Sequence, residues 1–154
     1  MTTITPFLWF NKDLAEALDH YSAIFPDFRI IETRNTSNGQ TEELFTASFE
    51  MAGQRFMALN GGPHFTFNEA ISLFVECSGQ EEVDHFWNYL TGNGGKEERC
   101  GWLKDKYGIS WQIIPKDLGK LLGDPDAEKA SRVMQAMLAM NKIEIEKLYI
   151  AYRG

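Results

Sequence analysis

The chain has 154 residues, a formal net charge of −7 at pH 7, and 44% hydrophobic and 13% aromatic residues. This length is typical of one domain, and the apolar fraction is sufficient for a core. No basic cluster and no apolar stretch as long as a membrane span is present, which argues against nucleic acid or a membrane as partner.

Cysteine usage and the N-terminus bear on the compartment. Cys77 and Cys100 are too few for a disulfide framework. The first ten residues, MTTITPFLWF, lack the charged and long apolar regions of a signal peptide. We therefore expect a soluble, cytoplasmic protein with reduced thiols.

The chain begins with a predicted strand and a predicted helix. Residues 5–10 form a short run rich in aromatic and β-branched residues, which favours a strand. The apolar residues around His20 then recur at helical spacing. Either Asn11 or Asp13 has the side chain of an N-cap for this helix.

Three further strands are predicted in the first half. Residues 28–34 are mainly apolar and β-branched, and the polar stretch 33–43 contains Asn38-Gly39, a typical hairpin turn. Residues 49–59 read as a strand, a Gly-containing turn and another strand.

The second half repeats this order. Residues 70–75 predict a strand, and the helix around His85 follows Ser78, where SGQE has capping-box spacing. GNGG (92–95) follows the helix and is interpreted as its end. A methyl donor of the adenosylmethionine type usually needs a Gly-rich loop between a strand and a helix, which this stretch does not provide.

The last strands of the second half surround a turn. Residues 94–100 predict a short polar strand, and 104–114 predict two strands around DKYG. Asp105 suits the first turn position and Gly108 the left-handed one. If DKYG alone forms the loop, Trp102 and Trp111 lie opposite each other on the two strands.

Asp-His-aromatic occurs in both predicted helices, at 19–21 and 84–86. We interpret the echo as a repeated structural unit, so each half reads strand-helix-strand-strand-strand. The predicted class is α+β, a single domain in which two βαβββ modules (1–62 and 63–116) form a curved sheet with a cleft. A helical tail (117–154) follows.

Methionines dominate the apolar side of the tail. Met134, Met137 and Met140 recur at helical spacing, and Asp124 with Pro125 suits the start of a helix. We expect this surface to pack on the body of the protein or on a second subunit, and we expect a homodimer.

Three segments carry a family resemblance: ITPFLWFNKDLAEALDHYSAIF near the start, CGWLKDKYGISWQIIP (100–115) and DPDAEKASRVMQAMLAMNKIEIEKL (124–148). With the repeated unit, they resemble the PhnB-like group of the vicinal oxygen chelate superfamily. This group is often labelled 3-demethylubiquinone-9 3-methyltransferase. The resemblance covers essentially the whole chain.

The resemblance implies four positions for the ligands of a divalent metal. They fall on or beside Pro6, near Met57, among residues 70–72, and on Gln112. Of these side chains only the Gln112 amide coordinates a hard metal ion, and only weakly. We therefore expect no metal and no other cofactor. A relocated site that uses Gln112 with His64, Glu76 or Cys100 stays open as an alternative.

Four residues are the candidate ligand-binding set: Trp9, His64, Trp102 and Gln112. Trp9 lies on the first predicted strand, His64 in the loop between the modules, and the other two near the last turn. No catalytic residue is assigned. The function we expect is binding of a small molecule in an aromatic-lined cleft. The alternatives are a metal-dependent glyoxalase- or dioxygenase-like enzyme and a protein that sequesters a drug.

Overall fold

A computed structural model describes residues 1–37 and 41–154. Its contacts divide the chain into a first unit, residues 1–67, and a second unit, residues 68–154. Each unit is described by itself. No helix in the described ranges is long and apolar enough to cross a membrane.

The first unit is one βαβββ module. Its elements are β1 (Phe7–Phe10), α1 (Leu14–Ile24), β2 (Arg29–Ser37), β3 (Glu42–Met51) and β4 (Gln54–Asn60). The sheet order is β1-β4-β3-β2, with β1 and β4 parallel and the other pairs antiparallel. The hairpin turn predicted at Asn38-Gly39 lies outside the described residues.

Helix α1 covers one face of this sheet. Its apolar side is buried at Leu14, Ala17, Leu18, Tyr21 and Ile24. The sheet supplies buried side chains in alternation, including Phe49 and Phe56, whose stacked rings are 5.6 Å apart. Burying each large apolar side chain contributes roughly 1.5–3 kcal/mol, so this layer stabilises the unit substantially.

The start of α1 is stabilised from a distance. Asp13 occupies the N-cap position, but its side chain makes no capping hydrogen bond. Instead Asn60 Oδ1 accepts from the Leu14 amide at 3.0 Å, and Asn60 Nδ2 donates to the Leu44 carbonyl oxygen. Asp13, one of the two predicted residues, is therefore the N-cap by position, but the Asn60 amide oxygen replaces its side chain as the acceptor for the first helical N–H.

The second unit repeats the module and adds three helices. Its elements are β5 (Ser72–Cys77), α2 (Gln80–Thr91), β6 (Lys96–Glu97), β7 (Trp102–Lys104), β8 (Ser110–Pro115), α3 (Lys116–Leu122), α4 (Ala127–Leu138) and α5 (Ile145–Arg153). The strand order β5-β8-β7-β6 reproduces that of the first unit. The predicted α+β class with two βαβββ modules and a helical tail is confirmed.

The turn between β7 and β8 corrects one prediction. Gly108 has φ +91° and donates its amide to the Asp105 carbonyl oxygen, as predicted. However, Trp102 pairs with Gln112, and Trp111 pairs with Leu103. Residues 105–109 all lie in the loop, and the one additional residue changes which side chains face each other.

The N-cap of helix α2 is not the residue that the sequence predicts. Its N-cap position is Gly79, and Ser78 does not cap it. The Ser78 amide instead donates to Glu82 Oε2 at 2.7 Å. The predicted capping box is therefore wrong. The helix end at Gly92 is as predicted, and the next two residues, Asn93 and Gly94, have positive φ.

The structural alignment of helices α1 and α2 differs by one residue from the alignment of His20 with His85. Their buried positions match as pairs: Ala17 with Val83, Tyr21 with Trp87, and Ile24 with Leu90. By this correspondence His20 matches Phe86. The repeated unit is real, but the repeated Asp-His-aromatic phrase is displaced by one residue within it.

The tail helices form a core of their own with the end of β8. The buried members are Ile114, Leu118, Leu121, Val133, Met140, Ile143 and Leu148. Helix α4 is capped by Asp126, whose carboxylate accepts from the Glu128 and Lys129 amides, so the predicted cap by Asp124 is wrong. Met134 is 39% exposed and Met140 only 7%, so the methionines do not share one surface.

Candidate functional site

Each sheet has a face that its module helix does not cover, here called the open face. In the first unit the strand register aligns Phe7, Met57, Ser48 and Glu32 directly across β1, β4, β3 and β2. Strand alternation places these four side chains on the face opposite Phe49 and the α1 contact. The open face therefore presents one ordered row of side chains across all four strands.

A hollow of ≈ 260 Å³ lies along this row. Its lining comprises Phe7, Glu32, Arg34, Thr46, Ala47, Ser48 and Met57. Phe7 is 52% and Met57 37% exposed, so two large apolar side chains are accessible beside polar ones. This combination is typical of small-molecule sites.

Ser48 is the buried polar residue of the hollow. The residue is 5% exposed, and its Oγ has no hydrogen-bond partner among the described residues. An unsatisfied buried hydroxyl costs about 1–3 kcal/mol. A bound molecule that accepts from or donates to this hydroxyl would remove that cost.

The end of the row on β2, away from Phe7, carries charged side chains. Arg34 Nε donates to Glu32 Oε1 at 3.2 Å, with side-chain exposures of 73% and 58%. An exposed pair of this kind contributes little to folding stability. Both groups therefore remain available to a ligand on the hollow's rim.

Trp9 is fixed beside the loop that follows β4. Its Nε1 donates to the Gly62 carbonyl oxygen at 2.9 Å, and its ring meets Phe65 edge-on at 4.9 Å. A Cβ on Gly61 would lie 2.3 Å from the indole, so only glycine leaves room for it. His64 lies in the same loop and is exposed.

The open face of the second unit is built from Gln112 and its neighbours. Gln112 Nε2 donates to Ser72 Oγ at 2.9 Å, and the register places Phe74 and Trp102 on either side of Gln112. Phe74 is 58% exposed and Trp102 is half-buried. Ser110, on the same face, is fully buried, and its Oγ has no hydrogen-bond partner in the described chain.

An ion pair lies at the edge of this second face. Lys104 Nζ is 2.7 Å from Glu69 Oε2. The hydrogen bond between them raises the pKa of Lys104 and lowers that of Glu69. Both groups are solvent-accessible, so the pair orders the rim without dominating its stability.

The predicted ligand-binding residues separate by unit. Trp9 and His64 belong to the first unit, and Trp102 and Gln112 lie side by side in the second. The sequence prediction did not include Phe7, Ser48, Glu32 and Arg34, although alternation within each strand was visible. Only the register between strands brings them into one row.

The positions that the resemblance assigns to metal ligands carry unsuitable donors. Met57 is paired with Phe7, and the Gln112 amide is hydrogen-bonded to Ser72. A thioether and a neutral amide bind hard divalent ions poorly, so these residues do not fit the superfamily's metal. Within the described ranges, no three His, Cys, Asp or Glu residues form a group that could hold a metal ion.

The residues proposed for a relocated metal site have other surroundings. Glu76 is an exposed residue of β5, paired across the sheet with Ile114. Cys100 has φ +60°, and its amide donates to the Met140 carbonyl oxygen, which fixes it against the tail. Both lie in the second unit, whereas His64 lies in the first.

Comparisons with known proteins agree with this architecture. The PhnB protein of Bacillus cereus, assigned to the 3-demethylubiquinone-9 3-methyltransferase group, is 31% identical, with 74% of this chain and 99% of that chain covered and a TM-score of 0.67. Protein PA1353 of Pseudomonas aeruginosa is 16% identical, with 75% and 98% covered and a TM-score of 0.62. The fosfomycin resistance protein FosX of Listeria monocytogenes is 15% identical, with 80% and 98% covered and a TM-score of 0.59.

The similarities to PA1353 and FosX concern the fold alone. No curated protein matches the chain. The family model for 3-demethylubiquinone-9 3-methyltransferase matches residues 2–114, which include both modules. The chain therefore belongs to the PhnB-like, 3-demethylubiquinone-9 3-methyltransferase family and has the vicinal oxygen chelate fold.

Proposed function

We propose that this protein binds a small organic molecule on the open face of its first unit. The observation that carries the proposal is the hollow with apolar walls at Phe7 and Met57 and a buried, unpartnered hydroxyl at Ser48. Apolar walls supply affinity, and one well-placed polar group supplies orientation. The aromatic residues Trp9 and Trp102 border the open faces of the two sheets.

Binding proceeds in this proposal without the superfamily's metal and without another cofactor. The support is the donor chemistry at the matching positions, where Met57 and Gln112 replace charged or imidazole ligands. Elemental analysis of the purified protein tests this part directly. Stoichiometric Mn, Fe, Ni or Zn would contradict it.

A thermal-shift screen against a library of small metabolites tests binding. A ligand of the native state raises the melting temperature with the logarithm of its concentration over its dissociation constant. Met57→Arg places a long charged side chain in the hollow, and hits at this site should disappear in the variant. Ile150→Arg, at an exposed position of helix α5 outside the hollow, is the control and should retain them.

The outcome also separates the alternatives. No hits, or hits that persist in Met57→Arg, would contradict the proposed site. A hit recovered chemically unchanged after prolonged incubation supports binding or sequestration, whereas its conversion supports an enzyme. Conversion that a chelator abolishes and one metal ion restores would favour the metal-dependent alternative.

We also propose a homodimer and a cytoplasmic location. Helix α4 exposes Met134 and Leu138, at 39% and 45%, one turn apart on one side. Two-fold pairing is the commonest association of such surfaces. Cys77 and Cys100 are both free in the structure, as is usual for proteins of a reducing compartment.

A further inference from the structure

We propose that the ligand of the first unit is a small zwitterion with an apolar ring, the chemical class of a free aromatic amino acid. This inference rests on the proposed function and specifies the molecule that the hollow selects. It follows from the order of side chains across the sheet, from the charges at one end, and from the size of the hollow.

The row of side chains changes character from strand to strand. Phe7 and Met57 are apolar, Ser48 carries a hydroxyl, and Glu32 is charged. Neighbouring strands are about 4.8 Å apart, so Met57 and Glu32 are separated by roughly 10 Å. This distance suits a ring on Met57 and Phe7 with a short charged arm that reaches past Ser48.

The charged end presents both signs together. The Glu32–Arg34 contact uses Nε of the guanidinium, and its terminal nitrogens make no hydrogen bond to the described residues. Those nitrogens suit a two-point contact with a carboxylate, and the Glu32 carboxylate suits an ammonium. An amino acid carries both groups on one carbon, which matches donors and acceptors that are neighbours in the protein.

Net charge favours a zwitterion over a simple anion. The protein carries a formal charge of −7, which repels a ligand of net negative charge. A zwitterion has no net charge to repel. Its carboxylate is nevertheless able to accept from the Ser48 hydroxyl, which satisfies the buried group.

The size of the hollow favours small ligands. Its volume of ≈ 260 Å³ lies below the roughly 300–1,000 Å³ usual for drug-sized ligands. A molecule with a single ring therefore matches the hollow better than a nucleotide or a polycyclic molecule. Met57 is unbranched and partly exposed, so its rotation adjusts the apolar end to a planar ring.

Isothermal titration calorimetry with three related compounds tests the class. L-phenylalanine carries both charges, 3-phenylpropionate only the carboxylate, and 2-phenylethylamine only the ammonium. We expect L-phenylalanine to bind at least 10-fold more tightly than either analogue, a difference of about 1.4 kcal/mol. Ser48→Ala should weaken L-phenylalanine at least 5-fold.

Variants that remove one charge each test whether Glu32 binds the ammonium and Arg34 the carboxylate of the ligand. In Glu32→Gln, L-phenylalanine and 3-phenylpropionate should bind with similar affinity, because the ammonium has lost its partner. In Arg34→Gln, L-phenylalanine and 2-phenylethylamine should become similar. Glu42→Gln, which alters an exposed β3 carboxylate outside the hollow, is the control and should bind like the wild type. Urea unfolding of every variant verifies the fold.

Three results would overturn the inference: no binding by any of the compounds, equal binding of L-phenylalanine and either single-charge analogue, or full affinity in Ser48→Ala. The library screen separates this failure from that of the proposed function. Hits that Met57→Arg abolishes, without binding by the phenyl compounds, mean that the site is right and the ligand class is wrong. No hits in either experiment mean that both are wrong.

Discussion

Asp105 organises the last turn of the second sheet. The residue is 3% exposed, and its Oδ1 accepts from the amides of Tyr107 and Ile109 at 2.9 and 3.0 Å. Its Oδ2 accepts from Trp111 Nε1 at 3.0 Å. One carboxylate therefore accepts from at least three donors, one of them on a buried indole.

Asp105→Ala should destabilise the protein by about 2–4 kcal/mol, because buried N–H groups lose their acceptor. Urea unfolding measures the loss. Asp27→Ala is the matched control, since Asp27 accepts from the Ala52 amide in an exposed turn of the first unit. That variant should lose no more than about 1 kcal/mol. Equal losses would show that burial does not set the value of the Asp105 contacts.

The two thiols should react at very different rates. Burial, followed by the charge of Glu82, raises the pKa of the Cys77 thiol to about 12, whereas Cys100 is partly accessible. Because the thiolate is the reactive form, Cys77 should be inert near neutral pH. Titration with dithionitrobenzoate at about pH 8 should detect one thiol in the native protein and two in denaturant. Cys100→Ser should abolish the native reaction, and a fast native reaction in that variant would contradict the prediction.

Gln80 of α2 holds the tail through two hydrogen bonds of its side-chain amide. Its Oε1 accepts from the amide of Ile145, the first residue of α5, and its Nε2 donates to the Ile143 carbonyl oxygen. Gln80 Nε2 also donates to Asp84, which pairs with Lys142 at 2.8 Å. The Gln80 side chain therefore satisfies the Ile145 N–H, which has no partner within the helix, and also binds the preceding Ile143 carbonyl.

Gln80→Ala should cost about 1–3 kcal/mol and loosen the start of α5 before the rest of the fold. Hydrogen exchange should show the largest increase at the Ile145 amide. Lys147→Ala removes an exposed ion pair with Glu144 on the same helix and serves as control. Its effect should stay below about 0.5 kcal/mol. Unchanged exchange at Ile145 in Gln80→Ala would exclude this anchoring role.

Acid should weaken the same attachment. The hydrogen bond from Lys142, and then that from Gln80, lowers the pKa of Asp84 below its ordinary value of 3.8. A carboxylate with a lowered folded pKa stabilises the fold above its unfolded pKa, and this contribution is lost as the pH falls through the folded value. The stability difference between wild type and Asp84→Asn should therefore be constant near neutral pH and shrink below about pH 4. A difference independent of pH would contradict the assignment.

The proposed homodimer makes a prediction for the chain as a whole. Met140 is buried in the tail core, so a charge there would unfold the tail instead of testing an interface. Met134→Glu with Leu138→Glu alters only exposed residues of α4 and should weaken the dimer. Light scattering on the wild type should give twice 17.6 kDa. A mass near 17.6 kDa at micromolar concentration rejects the dimer, and a wild-type dimer that survives both substitutions removes α4 from the interface.

Short-range patterns predicted the elements well, and long-range contacts account for most errors. Helical spacing and strand alternation depend on neighbouring residues, so the two modules were predictable. The cap of α1 depends on Asn60, far along the chain, and the face of Trp102 depends on the loop at 105–109. Neither is visible in a local pattern.

The candidate site was harder to predict for the same reason. Trp9 and Gln112 stand out as residue types, but Ser48 is an ordinary serine in a strand. Its place in the proposed site depends on the register of three strand pairs, which aligns it with Phe7, Met57 and Glu32. Sequence alone does not fix that register.

The packing of Ile114 makes the second module less tolerant of substitution than the first. Alternation places Ile114 on the same sheet face as Gln112, yet its side chain belongs to the tail core. Changes at that end of the second sheet therefore affect the anchoring of three helices as well as the face itself. Among the described residues, none that lines the hollow of the first unit belongs to the tail core. New ligand specificities should therefore be engineered more readily around Ser48 than around Gln112.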